Sequence, residues 1–242
     1  MLFSQELKVY QYMAVYNFSD NYFVNRLSNI GFKNYGLVLD AACGKGDWLP
    51  ALAKLNKKVH AFDFVKSSLT EAKQLAFKKG VTNIKIFSAS MLSIPIKNNV
   101  FDAVFCFDSL MFVNPVHTLN EFKRILKPKG KVYISLNRPG WILKCFWERG
   151  ILNRNLSKIF MSLRIIYDTF MRMLINYEIK VENTVYTKTN LERIAKKTGY
   201  KIIFIGYEGS YKNLDYEKYP ACFKQKYLGI PVSIEAILEK HE

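Results

Sequence analysis

The chain has 242 residues, half of them hydrophobic, and a formal net charge of +16. That length suits one large domain or a core with a cap, and the apolar share excludes an intrinsically disordered chain. Cys43, Cys106, Cys145 and Cys222 fall at neither metal-site nor disulfide-framework spacing, so no metal is assigned and the thiols are expected to be reduced.

From Gln5 to Ile30, apolar residues recur at helical spacing (Leu7, Tyr10, Val15, Tyr22, Phe23, Leu27, Ile30), which predicts one or two amphipathic helices closed by Gly31. Strand and helix then alternate. The spacing predicts strands at Leu37–Leu39, Lys58–Phe62, Asn83–Phe87, Phe101–Phe107 and Lys131–Leu136. Between them it predicts helices at Asp47–Leu55, Ser67–Lys79 with Ser67 as N-cap, and Pro115–Leu126. Strands that are apolar almost throughout belong to a parallel sheet covered on both faces. The alternation breaks after Asn137. Trp141–Tyr177 is a basic and aromatic helical stretch, and Thr189–Thr198 is a helix opening on a Thr189–Glu192 capping box. Two more strands follow at Lys201–Ile205 and Val232–Leu238.

The informative segment is Val38-Leu-Asp-Ala-Ala-Cys-Gly-Lys-Gly-Asp-Trp48. A strand ends at Asp40, small residues follow at Ala42, Gly44 and Gly46, and a helix begins. Such a turn lets backbone approach a ligand, and free N–H groups at the helix start can receive an anion. Asp63 ends the next strand, where doubly wound folds place an acid on a ribose. That carboxylate would repel a 2′-phosphate, which argues against NADP. The dinucleotide fingerprint also fails: its third small residue would be Leu49 counted from Gly44, or Asp47 counted from Ala42.

Here the chain resembles the class I S-adenosylmethionine-dependent methyltransferases. Their first motif, Asp-x-Gly-x-Gly-x-Gly, is matched by Asp40-Ala-Ala42-Cys-Gly44-Lys-Gly46, with Ala42 replacing the first glycine. Further matches are Asp63, Ser88-Ala-Ser-Met-Leu-Ser-Ile-Pro95, Phe101–Phe107 with the loop Asp108–Val113, and Asn120–Lys131. The resemblance implies an α/β fold: a doubly wound, mostly parallel seven-stranded sheet, Rossmann-like, with N-terminal helices and a helical insertion after strand 5. It divides the single domain into an N-terminal cap (1–35), a cofactor-binding core (36–137), a lid insertion (138–188) and a C-terminal helix and strand hairpin (189–242). It implies S-adenosylmethionine as cofactor. The contacts carried over are Asp40, Ala42, Gly44, Gly46, Asp63, Phe64, Ser90, Met91 and Cys106, with Tyr16 or Tyr10 closing over the methionine part. Ser90 stands where the family often has an acid, so the ribose end is better supported than the adenine end.

Two residues are candidates for catalysis. Asp108 follows the fourth strand at the carboxyl end of the sheet, and His117 lies in the next helix. Each also has a plain structural reading, as a loop cap and as a surface residue. Cys43 reads as a small filler, His60 as a packed histidine and Asp102 as a local pairing group.

The expected activity is methyl transfer to a small molecule: a saccharide, a phosphorylated compound or a lipid-linked metabolite. The net charge keeps two partners open, nucleic acid and an anionic membrane surface. The alternatives are a tRNA or rRNA methyltransferase and a non-catalytic protein that binds S-adenosylmethionine. Met1–Tyr16 lacks the apolar core of a signal peptide, and no uncharged run is long enough to span a bilayer. A cytoplasmic protein, or one peripheral to a membrane, is therefore expected.

Overall fold

A computed structural model describes residues 20–175, 185–211 and 226–241. Helix α1 (Asp20–Asn29) precedes strand β1 (Leu37–Ala41), helix α2 (Leu49–Leu55) and strand β2 (Lys58–Asp63). Helix α3 (Lys66–Lys78), strand β3 (Ile84–Ser88) and strand β4 (Phe101–Phe107) follow. Helix α4 (Pro115–Ile125) leads into strand β5 (Leu126–Asn137). The predicted stretch after Asn137 is three pieces: helix α5 (Pro139–Lys144), a π-helical turn (Cys145–Leu152) and helix α6 (Leu156–Ile175). The chain ends through helix α7 (Lys188–Lys197), strand β6 (Tyr200–Gly206), the short pair β7 (Lys226–Tyr227) and β8 (Ile230–Pro231), and strand β9 (Ser233–Lys240).

The seven-stranded sheet runs β3-β2-β1-β4-β5-β9-β6. Strands β1 to β5 pair in parallel, while β9 is antiparallel to both β5 and β6. The order reverses between β1 and β4, and in open α/β sheets ligands bind beyond the strand ends at such a reversal. One face of the sheet is covered through Leu119 and Phe122 of α4 and Leu191 of α7. The other is covered through Leu27 of α1, Leu52 of α2, Ala72 of α3 and Trp141 of α5. Two covered faces explain why these strands are apolar without alternation.

A buried cluster ties α1 to the sheet. The Arg26 guanidinium pairs with the Glu235 carboxylate of β9, and the Tyr133 hydroxyl of β5 donates to the same carboxylate at 2.9 Å. The other Glu235 oxygen accepts the Gly209 N–H at 3.2 Å. Gly31 closes α1 as expected: its N–H donates to Ser28 O at 3.1 Å, and the Phe32 N–H reaches Leu27 O at 2.8 Å. With φ of 74° at Gly31, this is the Schellman arrangement.

Two caps differ from expectation. Helix α3 is capped at Val65, without a side-chain bond, and Ser67 lies inside the first turn. The Val65 N–H donates to Asp63 Oδ1 at 2.8 Å, so the acid at the strand end fixes the chain entering α3. Helix α7 is capped by Thr187, whose hydroxyl accepts the Asn190 N–H at 3.2 Å. The Thr189–Glu192 pattern therefore falls inside the helix. Helix α2 starts two residues later than predicted because Asp47 still belongs to the turn. Tyr10, Tyr16, Cys222 and the helix predicted from Gln5 up to residue 19 lie outside the described residues, as does Tyr177.

Candidate functional site

Strand β1 delivers Asp40 to the point where the strand order reverses, level with Ala61 on β2 and Phe105 on β4. The residue is buried, and its Oδ2 has no hydrogen-bond partner. Burial, then the charges of Asp63 and Asp47, holds its carboxyl well above the usual range. Asp47 is itself raised, chiefly by burial, and so is Asp63. Three carboxyl groups thus surround the glycine turn, and the Lys45 ammonium at that turn is paired with Glu71 at 2.7 Å.

The turn is held by its own amides. The Cys43 N–H donates to Phe62 O at 2.9 Å, Gly46 N–H to Cys43 O at 3.0 Å and Leu49 N–H to Gly46 O at 3.0 Å. The Gly44 N–H donates to Asp63 Oδ2 at 2.8 Å. Three amides of the turn, and the first of α2, are thus engaged within the protein. Ala42 and Gly44 both take positive φ, 58° and 54°. Gly46 is required by packing as well as by its φ of 87°. A Cβ there would sit 2.9 Å from Leu49 Cδ1 and 3.1 Å from the Ala72 Cα of α3. The close approach that excludes a side chain at Gly46 is to the protein itself.

Asp63 uses one oxygen on Gly44 and the other on Val65, so its carboxylate joins the turn to the start of α3. The Phe64 N–H also favours the charged carboxylate, whose remaining lone-pair capacity can take a further donor. Phe64, the next residue, is 64% exposed at the same rim. Ser90 accepts the Leu92 N–H at 3.2 Å through its hydroxyl oxygen, while Met91 is buried in the core. Cys106 is fully buried in β4, and burial pushes its thiol far up, as it does that of Cys43. The Cys106 side chain belongs to the core rather than to an open rim.

Asp108 stands one residue beyond β4, in the left-handed region at φ 52°. Its N–H donates to Ser135 O at 3.0 Å, fixing it against β5. Oδ1 is sealed from solvent and has no partner. Burial, then the charge of Glu208, pushes this carboxyl up to about 8. Nearby at the end of β5, Ser135 Oγ and Asn137 Oδ1 are also buried without hydrogen bonds. Ser109 Oγ donates to Phe107 O at 2.9 Å and approaches Ala42 O at 3.5 Å, bridging the ends of β4 and β1. His117, by contrast, is exposed on α4, with Glu121 one turn along the helix. His60 is packed edge-on to Phe101 and Phe87, and Asp102 accepts the Leu37 N–H at 2.7 Å.

Known proteins resemble this chain in sequence over its core and in fold over most of its length. The family described as "Methyltransferase domain" matches residues 39–134. That stretch runs from β1 to β5 and holds the glycine turn, Asp63 and Asp108. A stretch of the chain is 35% identical over 99 residues to a demethylmenaquinone methyltransferase of Geobacillus sp. (strain WCH70), covering 39% of this chain and 42% of that one. The match thus spans less than half the length of that relative. Solved methyltransferase folds align over nearly the whole chain. One is a SAM dependent methyltransferase from Aquifex aeolicus, with TM-score 0.57, 17% identity and coverage of 90% of this chain and 88% of that one. Another is a SAM-dependent methyltransferase from Methanosarcina mazei, with TM-score 0.58, 17% identity and coverage of 86% and 93%.

Reading the sequence alone missed Arg26, Tyr133, Glu208 and Glu235. The one available signal was Glu235 itself, a charge in the middle of the apolar run Ser233–Leu238.

Proposed function

We propose that the chain is an S-adenosylmethionine-dependent methyltransferase that acts on a small molecule. The observation that carries the cofactor reading is the turn at Ala42–Gly46, ringed by Asp40, Asp47 and Asp63 and with its Cys43, Gly44 and Gly46 amides already bonded. A pyrophosphate would meet three carboxyl groups. A nucleoside carrying a cationic sulfonium and an ammonium would instead be attracted, and would relieve the raised acids. Asp40 Oδ2, buried without a partner, fits a cationic or hydrogen-bonding group at this point. Asp63 would accept the ribose hydroxyls on its remaining lone pairs, and exposed Phe64 would lie against the adenine.

When bound, S-adenosylmethionine supplies an activated methyl group. The chain's own residues then have three tasks: hold the donor, orient the acceptor and receive its proton. Orientation alone is worth on the order of 7–11 kcal/mol in favourable intramolecular reactions. Asp108 is the group suited to the proton. It sits past the end of β4, is anchored to Ser135 and keeps one oxygen unbonded. A carboxyl raised to about 8 can take a proton from an acceptor far better than an ordinary aspartate. Ser135 and Asn137, with their unused buried atoms, would position the acceptor's polar group. His117 has no part in this reading, being exposed away from the cluster. The small-molecule reading is supported by the relative named for demethylmenaquinone.

The test uses methyl-labelled S-adenosylmethionine with fractionated small-molecule, lipid and RNA pools. Label in an extractable small molecule, lost in Asp108→Asn, supports the proposal. Label in RNA would favour the nucleic-acid alternative, and no transfer by a chain that binds the cofactor would leave a binding protein.

A further inference from the structure

Helix α6 carries apolar residues where a surface helix carries polar ones. Its inward side holds Ile165 and Ser162, both buried, with the Ser162 hydroxyl donating back to Lys158 O at 2.8 Å. Its outward side presents Leu156, Phe160, Leu163, Tyr167 and Phe170, which are 48–68% exposed. These follow the 4-3-4-3 spacing that stacks side chains along one helix face. Leu152, 63% exposed, and Trp147, 49% exposed, extend the apolar surface onto the π-helical turn. A contiguous exposed apolar surface of this kind marks an interaction site.

Three occupants are conceivable, and charge separates them. Residues 139–171 carry five basic side chains (Lys144, Arg149, Arg154, Lys158 and Arg164) against two acidic ones, Glu148 and Asp168. A second copy docked by a two-fold axis would set the same basic surface against itself, at a repulsive cost. A nucleic acid would meet phenyl and leucyl groups where it needs hydrogen-bond donors. An anionic lipid surface suits both features: the apolar face enters the acyl boundary, and the arginine and lysine side chains reach the headgroups. Among the described residues no helix is long and apolar enough to cross a membrane, so the helix would lie on the bilayer.

We propose that the outward face of α6, with the adjoining π-helical turn, docks the protein on an anionic lipid bilayer. This goes beyond the methyltransferase reading and does not rest on it, because docking is read without cofactor or turnover.

The experiment is vesicle flotation of the full chain. One set of vesicles is pure phosphatidylcholine, and the other is equal parts phosphatidylcholine and phosphatidylglycerol. Wild type is expected to float with the mixed vesicles and to be released by salt, since the ionic part is screened. The double variant Phe160→Ser, Phe170→Ser should partition about tenfold less or weaker, because two large apolar side chains no longer enter the acyl region. Its thermal unfolding should match wild type, as both side chains face solvent. Arg154→Glu with Arg164→Glu should remove the preference for the mixed vesicles. Failure of wild type to float with either set overturns the proposal. So does unchanged flotation of the phenylalanine variant, or a dimer in sedimentation velocity that this variant dissociates.

Discussion

Asp63 and Asp108 do different work with the same side chain. Asp63 accepts two backbone amides, and replacing it with asparagine leaves one of them facing an NH2 group. Asp63→Asn should therefore destabilise the fold by about 1–3 kcal/mol, read by urea unfolding, in addition to weakening cofactor binding. Asp108 has no such compensation. Its carboxyl is raised to about 8 in the folded protein, so between its ordinary value of about 3.9 and that point the folded state holds a proton that the unfolded state has released. The resulting cost is absent below the ordinary value and complete above about 8. Asp108→Asn should be more stable than wild type at pH 9, with the gain shrinking towards pH 4 in paired urea titrations. If Asp108 receives the acceptor's proton, activity should rise through about pH 8 and lose that rise in the variant. The placement of Asp40, Gly44, Gly46 and Asp63 around one turn was legible because strand end, small turn and acid recur at fixed spacing. The partners of Asp63 were not, since a carboxylate reads the same whether it holds a ribose or two amides.

Among the elements, the glycine turn and helix α1 make contrasting tests. Gly46 is both left-handed and crowded by Leu49 and Ala72, so Gly46→Ala should cost about 2 kcal/mol or more. Gly31→Ala meets nothing within 4 Å and should cost only the left-handed penalty of about 1–2 kcal/mol. Helix α1 is held by Arg26, whose pairing with Glu235 and Tyr133 is buried. Removing one partner from a buried pair typically costs about 3–5 kcal/mol, and Arg26→Met should do so here. Combining it with Glu235→Leu should recover part of the loss, measured by the same unfolding midpoints. The strands were readable because burial on both sides makes them apolar runs. The caps at Val65 and Thr187 were displaced from Ser67 and Thr189 because a hydroxyl in the first turn does not reveal which peptide ends the helix. The partition of the Trp141–Tyr177 stretch had no signal either, since α-helical and π-helical turns share an apolar, aromatic composition.

At the scale of the molecule, the parallel strands bring Asp40, Asp63 and Asp108 to one edge from three separate sequence regions. That edge lies where the strand order reverses, which is why a sequence with strong alternation already pointed to it as the candidate donor site. Glu208, Ser233 and Asn137, from the ends of β6, β9 and β5, meet only through the antiparallel pairing. Nothing local in the sequence announces that meeting. The central claim is that the acid-ringed turn holds the adenosine half of S-adenosylmethionine, and isothermal titration with S-adenosylhomocysteine tests it most directly. Wild type should bind one equivalent, and Phe64→Ala, which removes an exposed ring without touching the core, should bind about tenfold more weakly through lost stacking of about 1–3 kcal/mol. Absence of binding by the folded wild type, or equal affinity in the Phe64 variant together with undiminished affinity in Asp63→Ala, would contradict it.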